Sequence, residues 1–379
     1  MKTKVLLFAA MMAFMNVLPA QAQVDTLAKQ AIIIDANSGA VLLDKSGDGQ
    51  MPTSSMSKVM SMYMVFEALK EGRLHLTDEL LVSERAWRNS MNDGSRMFLP
   101  VGSRVKVEDL IRGVIVQSGN DASVVLAEGV AGTEESFVDA MNAKAKQLGL
   151  KDSHFMNATG LPDPNHYSTP HDLARLASHI MSDFPEYYHY FSEKEFTFNN
   201  IKQQNRDPLL GKVPGADGLK TGHTEIAGYG LMGTALRDGR RVILVMNGLE
   251  SQKDRQEEGI KLMEWAFRNF ESKKLIAKGE TVDNAKVWLG KFDAVPMVAS
   301  QDVQVLLPRA KRSELKMAVK YSEPVKAPVV AGDKIGTLQI SVPDQPPVEV
   351  DLLAGADVPR KGIFGRVKDR LDYLLTGSL

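Results

Sequence analysis

Cysteine is absent from all 379 residues, which excludes a disulfide scaffold, a thiol nucleophile and a thiolate metal site. An excess of either charge is lacking too: 46 lysines and arginines stand against 47 acids, a net charge of −1. With no basic stretch interleaved with aromatics, nucleic acid is not expected as a partner. The seven histidines never fall in His-Glu-x-x-His spacing, so a zinc peptidase has no ligand set, and neither metal nor cofactor is expected. The N-terminal apolar run, Val5 to Phe14, is shorter than the roughly 20 residues a spanning helix needs. Lys2 and Lys4 precede it and the small residues of Ala20-Gln21-Ala22 follow, which predicts a secretory signal peptide over 1–22, removed before Gln23. Part of the nineteen methionines lie in that segment, and the rest read as core filling. A hydrophobic content of 44% is ample for a sizeable core.

Present instead are three short motifs in one order: Ser55-Met56-Ser57-Lys58, Ser118-Gly119-Asn120 and Lys220-Thr221-Gly222. Together they offer a hydroxyl nucleophile, an amine to activate it, a polar pair to relay protons and a cation for a carboxylate. Decoys exist, because Ser103-Arg104-Val105-Lys106, Ser90-Met91-Asn92 and Lys45-Ser46-Gly47 fit the same patterns. Context separates them. Ser55 opens an apolar segment with Val59, Tyr63, Phe66 and Leu69 at helical spacing, ending before Gly72. Three residues apart on a helix, Ser55 and Lys58 share a face. Ser118 follows the apolar run Ile111 to Val116 and precedes a helical pattern from Ala122, so it reads as a loop between helices. Lys220 is expected just before, or at the start of, a core strand, since Gly228 to Leu236 and Val242 to Met246 flank an Asp-Gly turn and make a hairpin covered on both faces.

Ala31 to Ile34 and Val41 to Leu43 give a second hairpin, and Gly259 to Phe270 a closing helix with Ile260, Met263, Phe267 and Phe270 on one face. These pieces predict an α+β domain over 23–273: an antiparallel sheet of terminal strands, helices packed on it, and a helical insertion between the first and third motifs. Beyond it, period-two alternation in Leu315 to Tyr321, Thr337 to Val342 and Val348 to Leu352 predicts a small antiparallel β domain over 274–356. The segment 357–379 closes the chain. There Ile363, Phe364, Val367, Leu371, Leu374 and Leu375 share a helical face, with Arg366, Lys368, Asp369, Arg370 and Asp372 opposite. Five charges forbid a spanning helix, but the stripe suits a helix lying in a membrane interface or one packed on the β domain.

The motifs, with Pro52-Thr53-Ser54, Val116-Gln117-Ser118-Gly119-Asn120-Asp121-Ala122, Asn157-Ala158-Thr159-Gly160-Leu161 and Asp217 to Thr224, resemble the penicillin-binding active-site-serine enzymes. Among these the likeness is to the low-molecular-mass D-alanyl-D-alanine carboxypeptidases of bacterial cell walls, over essentially the whole chain. The resemblance implies a β-lactamase/transpeptidase-like catalytic domain, then an all-β domain serving as stalk or partner platform, and a terminal amphipathic helix anchoring the protein to the inner membrane's periplasmic face. It implies peptidoglycan stem peptides ending in D-Ala-D-Ala as substrate and β-lactam antibiotics as covalent inhibitors.

A serine hydroxyl attacks only when a base removes its proton, and a lysine is a base only when neutral, which burial or nearby cations achieve. Lys58 is that base on this reading, with repulsion from Lys220 helping. Ser55 then attacks the carbonyl between two D-alanines, releases the terminal one, and water hydrolyses the acyl-enzyme. Ser118 carries the proton to the leaving amine, and Asn120 orients the substrate amide and Lys58. Lys220 and Thr221 bind the carboxylate or polarise Ser118. The family's oxyanion hole falls on the backbone N–H groups of Ser55 and His223. Gly222 is expected to keep a side chain away from the substrate, while Arg255 and Arg206 grip the carboxylate or are structural. The rivals are a serine β-lactamase, a DD-endopeptidase and a non-catalytic wall-binding protein. The lactamase's glutamate motif has its nearest string in Glu195-Phe196-Thr197-Phe198-Asn199, which lacks the leucine and alternates like a strand.

Overall fold

The computed structural model describes residues 24–92, 94–342 and 347–376; the expected signal peptide lies outside them. The chain opens with the expected hairpin, β1 (Gln30–Asp35) and β2 (Val41–Lys45). A 3-10 turn, Ser54–Ser57, then leads into α1 (Lys58–Lys70). Nearly every side chain of α1 is buried, so it is a core helix, apolar all round. The insertion follows: β3 (Glu79–Leu81), α2 (Glu84–Asn92), β4 (Arg104–Lys106), α3 (Val107–Ile115), α4 (Asn120–Ala131), α5 (Glu134–Gln147), α6 (Pro170–Asp183), and the hairpin β5 (Glu195–Phe198) and β6 (Ile201–Gln204). Thr133 and Thr169 cap α5 and α6 by accepting from the N–H of Ser136 and Asp172, each contributing about 1 kcal/mol.

The chain returns as β7 (Ala216–Thr224), β8 (Gly228–Arg237) and β9 (Arg240–Leu249), completing an antiparallel sheet of order β2-β1-β9-β8-β7. Successive side chains point to opposite faces. Ile32, Ile243 and Val245 join the core of the helical insertion, whereas Ile33, Leu244 and Met246 pack with Leu262 and Met263 of α7 (Gln252–Asn269). Each such buried side chain contributes about 1.5–3 kcal/mol. Two expectations need correction. The Lys220 motif is neither ahead of a strand nor at its start: it lies in the middle of β7, the edge strand, which carries no long apolar run to announce it. Helix α7 also begins at Gln252 rather than Gly259. Its opening turns are polar, but Ser251 caps them, accepting from the Asp254 N–H at 3.0 Å and donating to its carboxylate at 2.6 Å.

Beneath this end, Arg240 donates to Asp35 at 2.7 Å and to the carbonyls of Ala266 and Phe270, tying β1 and β9 to the end of α7. β10 (Phe270–Ile276) follows α7 directly and pairs with β13 (Val303–Pro308); the charged stretch 271–274 lies inside that strand. β11 (Thr281–Trp288), β12 (Ala294–Ala299), β14 (Lys316–Lys320), β15 (Val325–Lys326), β16 (Lys334–Ser341) and β17 (Val348–Ala354) form a second sheet, of order β14-β16-β17-β12-β11-β15. It is antiparallel except for the short β11–β15 pair. Met297, Leu338, Ile340, Val350 and Leu352 build its separate core, and α8 (Ile363–Thr376) ends the described chain.

Candidate active site

The three motifs converge on a cleft of ≈ 790 Å³ between the helical insertion and the free edge of β7. Ser55, Ser118, Asn120, Thr221, Gly222, His223, Arg206 and Arg255 all line it, while Lys58 and Lys220 lie beneath, both buried. The decoys stay outside: the Ser103 hydroxyl donates to the Pro100 carbonyl and the Lys45 amine to the Thr26 carbonyl. Ser55 sits in the 3-10 turn, so it reaches Lys58 from a tighter coil than an α-helix. Ser54 before it has φ 49° and Ser118 has φ 59°, left-handed values that a side chain adopts only under constraint and that cluster at working sites.

Lys58 is fully buried, and its Nζ lies 2.9 Å from Ser55 Oγ, 2.8 Å from Asn120 Oδ1 and 2.6 Å from the Thr159 carbonyl. An ammonium spends three N–H donors on these three oxygens. A neutral amine has two donors and a lone pair, so the Asn120 and Thr159 contacts absorb the donors and the lone pair faces the Ser55 O–H. The second state is the one that can take the serine's proton. Burial, reinforced by the Arg206 cation and opposed by Asp121, lowers the Lys58 pKa to about 7, so both states are populated at neutral pH. The helping cation is thus Arg206, and burial outweighs it. The expected repulsion with Lys220 acts on Lys220, whose pKa is held well below its ordinary value by burial first and Lys58 next. Lys220 Nζ donates to Ser118 Oγ at 2.9 Å, linking the second motif to the third.

Gly222 is also constrained from beneath by the chain itself. A Cβ there would stand 2.9 Å from the Thr53 carbonyl and 3.1 Å from Ser54 Cβ, crowding the turn that carries Ser55. Arg255 is buried, lies against the Gly222 carbonyl at 3.5 Å, and stacks over Tyr229, which in turn stacks on His223 at 3.9 Å. Arg206 donates to the Ser95 hydroxyl across the cleft mouth.

Sequence reasoning gave no role to several residues that shape the site. Asn157 Oδ1 accepts from the N–H groups of Thr159, Gly160 and Leu161, aiming the Thr159 carbonyl at Lys58. Gly160 has φ +78°, and a Cβ there would fall 1.9 Å from the Ser54 carbonyl. The Asp121 carboxylate accepts from the N–H of Met97 and Leu99, holding the segment that brings Gly94 and Ser95 to the cleft. Behind the nucleophile, His166 Nε2 meets Ser57 Oγ at 2.7 Å, and Ser57 meets Thr53. The Asn-x-x-Gly turn was the one local signal for any of these. Among the described residues no group of three or more histidines and acids is placed to hold a metal.

A buried amine shared between a serine hydroxyl and an amide, beside an open sheet edge, is the equipment of a serine acyl-transfer enzyme of the penicillin-recognising class. The chain matches the D-alanyl-D-alanine carboxypeptidase family over residues 16–250 and the C-terminal domain of penicillin-binding protein 5 over 270–360. It is 40% identical over 353 residues to the D-alanyl-D-alanine carboxypeptidase DacA of Haemophilus influenzae, spanning 92% of this chain and 90% of that one. The solved penicillin binding protein 5 of Haemophilus influenzae superposes with TM-score 0.75 at 39% identity, over 89% of this chain and 99% of that chain. Penicillin-Binding Protein D2 of Listeria monocytogenes in its ampicillin-bound form matches with TM-score 0.56 at 31% identity, over 65% of this chain and 99% of that chain. The chain belongs to the D-alanyl-D-alanine carboxypeptidase family.

Proposed function

We propose that this serine-type carboxypeptidase removes the terminal D-alanine from peptidoglycan stem peptides through an acyl-enzyme on Ser55, and that β-lactams acylate the same hydroxyl. The observation that carries the reading is the triple contact of the buried Lys58 amine with Ser55, Asn120 and the Thr159 carbonyl. Lys58 takes the Ser55 proton. The oxyanion that forms is met by the backbone N–H of Ser55 and His223. Ser118, polarised by Lys220, delivers a proton to the departing D-alanine amine. Thr221 and Arg255 receive the free carboxylate, and Arg206 shapes the mouth and adds to the burial that lowers the Lys58 pKa. Ser55→Ala should abolish both D-alanine release from a pentapeptide ending in D-Ala-D-Ala and covalent penicillin labelling; labelling that persists refutes the assignment.

A lactamase reading gains no support from Glu195, whose carboxylate pairs with Lys202 at 2.6 Å on an exposed hairpin. Slow penicillin hydrolysis follows. We further propose export of the chain, a catalytic domain over 23–273, a β domain over 274–356, and attachment to the periplasmic surface of the inner membrane through α8. Among the described residues no helix is long and apolar enough to cross a membrane. Ile363, Phe364, Leu374 and Leu375 are 69–92% exposed, an apolar face left uncovered that supports burial in a lipid interface. Deleting the residues after Val358 should release the protein from membranes; association as tight as before refutes the anchor.

A further inference from the structure

One buried histidine joins two parts of the site and has no part in the proton transfers above. His166 is 4% exposed and stands between the loop that offers the Thr159 carbonyl to Lys58 and the turn that carries Ser55. The Met156 N–H donates to its Nδ1 at 3.2 Å, which makes Nδ1 the acceptor and leaves the ring proton on Nε2. Nε2 then donates to Ser57 Oγ at 2.7 Å, and the Ser57 hydroxyl passes its own proton on to Thr53 Oγ1. All three donors point one way, from the loop to the turn. The Thr53 carbonyl accepts the Met56 N–H and closes the turn around Ser55. That turn needs restraint, because Ser54 has φ 49°, a left-handed value that persists only where the surroundings enforce it. Gly160, close beneath the Ser54 carbonyl, is one restraint. The His166 tether is the second, and it grips the turn on both sides of Ser55, at Thr53 and at Ser57.

We propose that His166 is a positioning residue for acyl transfer: its ring, ordered between the Met156 N–H and Ser57, holds the Ser55 turn in register with the Lys58 amine. This role rests on Ser55 as the nucleophile, as proposed above. A protonated ring has no acceptor for the Met156 N–H and breaks the chain. Burial, helped by His154 and Lys58 and opposed by Asp163, keeps the ring uncharged at neutral pH. Glutamine offers the same two functions, an oxygen that accepts and an N–H that donates, whereas leucine fills the space and has neither. Misplacing a reacting group by 1 Å costs about 100-fold, so a partly loosened turn should cost about tenfold.

The test follows covalent penicillin labelling of the full chain at pH 7.5 and separates its rate from its final extent. A residue that only stabilises the fold changes the extent, because unfolded molecules never label; a positioning residue changes the rate of the molecules that do. His166→Leu should label about tenfold more slowly or worse, with the saturation constant for penicillin within about twofold of wild type, and His166→Gln should stay within about threefold of the wild-type rate. In a Ser57→Ala background, His166→Leu should cost little more, since the two act through one chain of bonds. A wild-type rate in His166→Leu, a Gln variant as slow as the Leu variant, or losses that simply add overturns the role. Where His166→Leu does not fold, Ser57→Ala alone carries the test: slow labelling supports the tether and a wild-type rate overturns it. In the intact enzyme, 15N NMR should find His166 as the Nε2–H tautomer from pH 8 down to about 5; a ring that titrates near 6.5, its ordinary value, or that carries its proton on Nδ1, overturns it. Absence of any label on wild-type Ser55 overturns the nucleophile assignment, and this role with it.

Discussion

Protons are the simplest perturbation of the Lys58 contact, and their effect can be worked out directly. With an ordinary lysine pKa of 10.5, about one molecule in 3,000 would hold a neutral amine at pH 7; with the pKa lowered to about 7, about half do. The Ser55 acylation rate should follow the neutral fraction: flat above about pH 8, about one tenth of the plateau at pH 6 and one hundredth at pH 5. Burial is the first cause of the shift and the Arg206 cation the second. Arg206→Gln should therefore move the acid limb to higher pH by a few tenths of a unit to one unit, the effect of one nearby cation at an effective dielectric of roughly 20 to 40. The assay is the second-order rate of labelling by a fluorescent penicillin, quenched in acid, from pH 5 to 9. A flat profile, or a rate still rising about tenfold per pH unit at pH 9, refutes Lys58 as a base with its pKa lowered to about 7. A limb that stays put in Arg206→Gln refutes the electrostatic part alone.

Gly160→Ala should slow penicillin labelling by about 100-fold or more, because a Cβ 1.9 Å from the Ser54 carbonyl forces the nucleophile's turn to shift by an ångström or so; wild-type labelling contradicts this. His166 should make stability depend on acid. Burial first, with smaller effects from His154 and Lys58 against Asp163, lowers its pKa from 6.5 to about 4, so the unfolded chain binds the proton sooner than the folded one. Its contribution is complete above about pH 6.5 and is lost as pH falls toward 4, by about 3 kcal/mol in all. Urea midpoints at pH 7 and 4.5 should therefore differ less in His166→Gln than in wild type, and an equal difference removes His166 as the cause. Asp35→Asn should cost about 3–5 kcal/mol, since it strands the buried Arg240 charge on the carbonyls of Ala266 and Phe270; an unchanged urea midpoint contradicts it.

The parts of the molecule readable from the chain were those with local, periodic causes. The β1–β2 and β8–β9 hairpins, the buried α1, the loop between α3 and α4, and the alternating β14, β16 and β17 each carry their own pattern. Where placement depends on distant partners, pattern fails. β7 has polar, glycine-containing sequence and is a strand because β8 offers it a ladder, and β10 is charged yet held by β13. The same division holds in the site. Ser55, Lys58, Ser118, Asn120 and Lys220 lie in short motifs whose spacing reflects one turn of helix or one loop. The Thr159 carbonyl has no side-chain signature, and Arg206 meets Ser95 across 111 residues of sequence. The contact of Gly222 with Thr53 had no signal in the sequence, because only the folded chain brings Thr53 beneath it.

The most direct test of the account is mass spectrometry of the protein after reaction with benzylpenicillin at neutral pH, followed by peptide mapping. One adduct is expected, on the peptide containing Ser55 and on that hydroxyl, absent from Ser55→Ala and strongly reduced in a Lys58→Met protein that keeps its fold. An adduct on another residue, or one formed at the wild-type rate without Lys58, contradicts the assignment of nucleophile and base.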